Sequence, residues 1–91
     1  MRLDKFLKVS RIVKRRPVAK EVCDSGHVKI NERAAKAGTE VKPGDILELQ
    51  LGRKTLKVRV IELKDTVPAK EAASLYEVIE EIKYIPPEEL F

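Results

Sequence analysis

Apolar residues recur along this chain in two different rhythms. Leu3, Phe6 and Leu7 stand at i, i+3 and i+4, the spacing of one stripe on a short helix. Asp4 falls in its first turn, where a carboxylate complements the helix dipole. Pro17 suits the first turn of a second helix, on which Val18, Ala19, Val22 and Cys23 form the apolar stripe and after which Gly26 is the stop. Two short helices, joined through Ser10 to Arg16, are therefore expected to open the chain.

From Val28 onward the period changes to two. Val28 and Ile30 alternate with His27 and Lys29, and Asn31 begins a turn. Pro43-Gly44-Asp45 is a turn ahead of a strand in which Leu47, Leu49 and Leu51 alternate with Glu48 and Gln50. Gly52-Arg53-Lys54 reads as a hairpin, and the return strand turns Leu56, Val58 and Val60 inward and Lys57 and Arg59 outward. After Pro68, the residues Ala72, Leu75, Tyr76 and Ile79 keep helical spacing, yet Tyr76 to Ile85 also alternates as a strand does. Both assignments stand for that segment. Pro86 to Phe91 reads as a loose tail, and there is no internal repeat or low-complexity linker.

Composition narrows the function classes. A chain of 91 residues, 43% of them hydrophobic, holds one small core and has no room for a deep cleft plus a second domain. No apolar run approaches the ~18 residues of a membrane span, and no apolar segment of the signal-peptide type follows Met1. A soluble cytoplasmic protein without a membrane partner is expected. Cys23, the one cysteine, excludes an internal disulfide and a cysteine-based zinc site, and reads as a buried small hydrophobe. His27, the one histidine, has neither metal-ligand partners nor a nucleophile and orienting group at catalytic spacing. No metal, cofactor or catalytic residue is expected. Tyr76, at an apolar-stripe position, reads as core rather than as a stacking platform for bases.

Charge changes the picture most. Met1 to Lys36 carries 11 Lys or Arg against 4 Asp or Glu, whereas Ala37 to Phe91 carries 8 against 11. Arg2 to Lys20 alone holds eight basic residues and one acid, Asp4. Arg2, Lys5 and Lys8 step by three along the first helix, and Arg11 joins their surface only if that helix ends before it. Arg16 and Lys20 are i, i+4 on the second helix, with Lys14 and Arg15 in the turn ahead of it. Such a cluster suits phosphate, which guanidinium forks grip and whose counterions are released on binding. A solvated helix surface is the plain alternative. Taken alone, these features describe a basic, two-helix polyanion binder.

The order of the parts adds to this. "RLDKFL", "RRPVAK", "SGHVKIN" and "VKPGDILEL" resemble the alpha-L RNA-binding domain, named from ribosomal protein S-four, over Arg2 to about Leu51. The resemblance implies an α+β fold in which two short helices pack on a small twisted, mostly antiparallel sheet, as a domain over 1–63 with a C-terminal extension over 64–91. It implies RNA held along Arg2, Lys5, Lys8, Arg11, Lys14, Arg15, Arg16 and Lys20, with Arg2 and Arg16 central and Asp4 orienting neighbouring arginines. It assigns mainly structural roles to Gly26, Val28, Asn31, Gly44 and Asp45. Two departures stand out: Arg15 and Pro17 where the family usually has Ser or Thr beside the second helix's start, and Glu32 where it often has Gly.

Among stand-alone members, "MRLDKFLKVSR", "VKPGD" and "ELKDT" are similar to the RqcP family, relatives of the heat-shock RNA-binding protein. That similarity implies a monomeric, non-catalytic factor of ribosome-associated quality control. Its expected partners are large ribosomal subunit RNA, peptidyl-tRNA and an RqcH-type tailing factor. An RNA-targeting subunit of a separate modifying enzyme, and an adaptor for acidic proteins or anionic lipid, are the other readings.

Overall fold

The computed structural model describes residues 1–83. Its elements are α1 (Leu3–Val9), α2 (Arg16–Asp24), β1 (Val28–Ile30), β2 (Arg33–Ala34), β3 (Ile46–Leu51), β4 (Lys54–Val60), a 3-10 helix (Ala69–Leu75) and β5 (Tyr76–Lys83). The strands form one sheet in the order β2-β1-β3-β4-β5, and every pairing is antiparallel. The α+β class and the two opening helices agree with the apolar rhythms.

The core joins both layers. Leu3, Phe6 and Leu7 of α1 and Ala19 and Cys23 of α2 are fully buried, in one cluster with Val28, Leu47, Leu49 and Val58 of the sheet. Each wholly buried Leu or Phe stabilises the fold by roughly 1.5–3 kcal/mol. Val18 is the exception on the expected stripe of α2. It is 45% exposed, because Ala19 and Cys23 centre the buried face and Val18 lies about 120° round the helix from that centre.

Local chemistry sets the ends of the elements. Gly26 adopts φ +84°, so its N–H donates to the Cys23 carbonyl while the His27 N–H donates to that of Val22. That pair of bonds closes α2 as a Schellman motif. Helix α1 ends at Val9, and Arg11 takes φ 60° two residues later, donating to the Lys8 carbonyl. A non-glycine residue is unusual there. The link between the helices is pinned by the buried Ser10, whose hydroxyl donates to the Leu7 carbonyl, and by the buried Val13.

On the sheet, Leu56, Val58 and Val60 face the core, as their alternation predicts. Asn31 and Asp45 lock two turns together. The Asn31 amide donates to the Asp45 carboxylate (3.1 Å) and accepts from the Ile46 N–H (2.9 Å), while Asp45 also accepts from the Lys42 N–H (2.8 Å).

The ambiguous segment is resolved as a 3-10 helix followed by a strand. Leu75 is buried and its carbonyl accepts from the Ile61 and Glu62 N–H groups, after which Tyr76 packs half-buried against the core and β5 runs along all of β4. Ile79 sits at a bulge between the pairs Val58↔Val78 and Lys57↔Glu80. One extra residue breaks the two-residue period, which is why the segment also fits helical spacing. Tyr84 and the tail from Pro86 lie outside the described residues.

The β1–β2 turn places both Asn31 (φ 49°) and Glu32 (φ 70°) in the left-handed region, between the paired Ile30 and Arg33. Asn tolerates this; a glutamate pays a steric cost of about 1–2 kcal/mol. Glu32→Gly is expected to raise stability by about 0.5–1 kcal/mol, because relief of that clash outweighs the added freedom of the unfolded chain. Urea unfolding checks it, and an unchanged or lowered midpoint would refute the strain.

Candidate nucleic-acid interface

The site is organised around Asp4, which is only 2% exposed. Its Oδ1 accepts from Arg2 Nε (3.1 Å) and from the Lys5 N–H (2.9 Å), and its Oδ2 from Arg2 Nη2 (3.4 Å). Arg16 Nε lies 3.5 Å from Oδ2 as an ion pair. One buried carboxylate thus holds two guanidinium groups, one just ahead of the first turn of α1 and one at the first residue of α2. The Arg2 and Arg16 side chains remain 53% and 49% exposed. The carboxylate takes the Nε side of each group and leaves further N–H donors for a ligand.

This arrangement follows from how α1 begins. Arg2 is its extended N-cap residue and is bridged across to Glu40. The Leu3 and Asp4 N–H groups donate to the Thr39 and Ala37 carbonyls (2.8 and 3.2 Å), and the Val41 N–H donates to the Met1 carbonyl (2.8 Å). The helix's first donors are therefore satisfied by the 37–39 backbone and by Asp4, not by a capping hydroxyl. The same loop reaches α2: the Ala37 N–H donates to Asp24 (3.0 Å) and Lys36 Nζ to the Asp24 carbonyl (3.3 Å). The Ala37 bond is the main cause that holds the Asp24 carboxyl below its usual range, with Lys20 adding to it. A Cβ at Gly38 would stand 3.9 Å from Arg2 Nη2, so this turn lies against the Arg2 guanidinium. Nothing in the alternation of residues 35–41 signals this role; Gly38-Thr39 is the one turn-forming pair there.

The second helix starts with no side-chain cap at Arg15, with Pro17 in its first turn and no acid there. Uncapped N–H groups and the positive end of the dipole sit beside Arg15 and Arg16, an environment that favours anions.

The eight basic residues differ in their surroundings. Lys5 pairs with Asp65 (2.9 Å), and Lys20 pairs with Asp24 (3.6 Å). Lys5 holds the Asp65 carboxyl below its usual range. Lys8, Arg11, Lys14 and Arg15 are exposed and carry no ion pair among the described residues. Because α1 ends at Val9, the condition for Arg11 to join the α1 surface is met. The buried Ser10 and Val13 anchor the turn from which Arg11, Lys14 and Arg15 project.

Cys23 is fully buried beneath this site. Burial first, then the charges of Asp4 and Asp24, push its thiol up to about 11. It is packing, not a nucleophile. His27 is exposed, with Nδ1 3.2 Å from the Gln50 side-chain oxygen, and the described residues contain no cluster suited to a metal. No described helix is long and apolar enough to cross a membrane.

Residues 1–47 match the S4 domain. The chain belongs to the S4 domain family. Similarity to its S4 relatives extends well past those residues. The chain is 55% identical to the RQC P-site tRNA stabilizing factor of Bacillus subtilis, over 91% of this chain and 96% of that protein. It is 52% identical to the factor of the same name from Streptococcus pneumoniae, over 91% and 94%. Among solved structures, the Heat Shock Protein 15 of Vibrio cholerae, described as trimeric, superposes with a TM-score of 0.80 at 30% identity, over 86% of this chain and 80% of that one.

Removing the charge of Asp4 leaves two guanidinium groups facing a neutral amide. Asp4→Asn is expected to lower stability by about 1–3 kcal/mol, toward the low end because both arginines are half solvated. Urea unfolding at neutral pH reads this directly, and an unchanged midpoint would show that the carboxylate does not anchor the helices.

Proposed function

We propose that this S4 protein is a factor of ribosome-associated quality control that binds ribosomal RNA and stabilises peptidyl-tRNA on obstructed large ribosomal subunits. The observation that supports this reading most is the 55% identity to a P-site tRNA stabilizing factor over nearly its whole length. The Asp4-centred arginine pair supplies the chemistry. The factor works by binding and holding, without a catalytic step of its own. It takes up phosphates through Arg2 and Arg16, with Lys8, Arg11, Lys14 and Arg15 around them and Lys5 and Lys20 at the margin, where each shares its charge with an aspartate.

In this reading the chain acts as a monomer in the cytoplasm. By steadying the tRNA it supports an RqcH-type factor that extends stalled nascent chains without a template. A lysine offers one point charge, whereas an arginine offers a planar fork that spans two phosphate oxygens while its Nε stays on Asp4. No observation favours an RNA-targeting subunit of a modifying enzyme or an adaptor for lipid.

Arg2→Ala and Arg16→Ala are expected to stay folded, since each leaves Asp4 with the other guanidinium and the Lys5 N–H. Each is expected to release the protein from large subunits and to abolish support of tailing; lysine restores only part. Binding through about five phosphates falls roughly 100-fold between about 50 and 200 mM salt. Co-sedimentation with large subunits, circular dichroism and a tailing assay in cells lacking the native protein test this. Folded alanine variants that still co-sediment and support tailing would refute the site. Loss of ribosome binding with tailing unaffected would refute the quality-control role alone.

A further inference from the structure

The basic site draws on the helices and the turn between them, and leaves the β5 edge of the sheet unused. β5 is the sheet's edge strand, eight residues long, and among the described residues nothing pairs with its outer side. Three of its residues are large, apolar and exposed: Val78 (51%), Ile79 (43%) and Ile82 (53%). Val78 lies opposite Val58 on the core side of the sheet, whereas Ile82 lies opposite Thr55 on the other side. Ile79 lines a groove of about 380 Å³ with Asn31, Glu32, Ile46 and Lys57. Soluble proteins usually protect such an edge with charge and bulges. Here the bulge and the charges are present, but the apolar residues on both faces are not needed for protection.

The charge around this edge leans acidic. Glu62 to Lys83 contains six acids, Glu62, Asp65, Glu71, Glu77, Glu80 and Glu81, against Lys64, Lys70 and Lys83. Glu77 and Glu81 are met by Arg59 and Lys54 of β4, while Glu80 has no ion pair among the described residues. RNA is repelled by such a surface. A second copy adding its own β5 would set one row of glutamates against another, and like charges directly opposite are destabilising. A strand rich in Lys and Arg, with apolar residues between them, meets both features.

We propose that the β5 edge is a docking site for an extended basic segment of another protein, which adds to the sheet as a sixth strand. Main-chain bonds to the free edge supply affinity, the apolar residues cover Val78, Ile79 and Ile82, and the cations meet Glu80 and its neighbours. The protein then holds RNA with its helices and a basic protein segment with its sheet at the same time.

The test uses the whole chain and a synthetic ten-residue peptide of alternating Lys and Val, with alternating Glu and Val as control. Amide NMR shifts are expected at residues 76–83 with the Lys–Val peptide and not with the control. Glu80→Lys and Ile82→Lys, both at exposed positions, are expected to weaken the peptide at least tenfold without weakening RNA binding. Shifts confined to other surfaces, no binding, or equal binding of the control peptide would overturn the proposal. So would a dimer of the free chain, seen by sedimentation and dissolved by Ile82→Lys, because the edge would then belong to a second copy. RNA binding is measured separately, so failure here leaves the RNA reading standing.

Discussion

A single carboxylate decides how the two helices of this protein face outward. Asp4 is buried, and a buried charge is tolerated only when it is paired and hydrogen-bonded. Its partners are two arginines, Arg2 just ahead of α1 and Arg16 at the first residue of α2, and a backbone N–H of its own turn. The pairing fixes the angle between the helices' starts and sets the two guanidinium groups in place before any ligand arrives. Preorganisation of this kind lowers the ordering cost of binding, since long side chains need not be immobilised afresh. The 36–39 turn is the brace behind it, because its backbone serves the start of α1 and, through Asp24, the end of α2.

Around this centre the charges are graded. Asp65 and Asp24 take up Lys5 and Lys20, while the cations of the inter-helix turn stay solvated. The C-terminal half, from Ala37 on, carries more acids than bases, and Asp65 brings one of them to the margin of the basic site. The cations gathered on the helices and the turn between them draw a polyanion to that surface.

Much of this was legible before any coordinates. Periods of 3.6 and two placed the helices and strands, because a small core leaves one face of each element to be apolar. The role of Asp4 came through the family resemblance, which implied that it orients neighbouring arginines; the residues alone gave only a carboxylate well placed for the helix dipole. Other features were hidden for physical reasons. Val18 falls at the far side of the stripe of α2, about 120° round the helix from the centre set by Ala19 and Cys23, and spacing alone does not say which edge of a stripe is covered. The bulge at Ile79 shifts the period within β5 and makes strand resemble helix. The Lys5–Asp65 pair spans 60 positions, and no local pattern announces such a contact. The brace at 36–39 acts through backbone groups, which every residue carries alike.

The central claim is that Asp4 serves RNA binding through the arginines it holds. A double-mutant cycle of Asp4→Asn and Arg16→Ala, read as affinity for structured ribosomal RNA at fixed salt, tests it most directly. Simple charge counting says that loss of an acid tightens binding to a polyanion. The clamp says the reverse: Asp4→Asn weakens binding roughly tenfold in the native background and by clearly less once Arg16 is gone, when only Arg2 is left for the carboxylate to hold, a coupling of about 0.5–1 kcal/mol. Tighter binding by Asp4→Asn, or effects that simply add, would contradict the account.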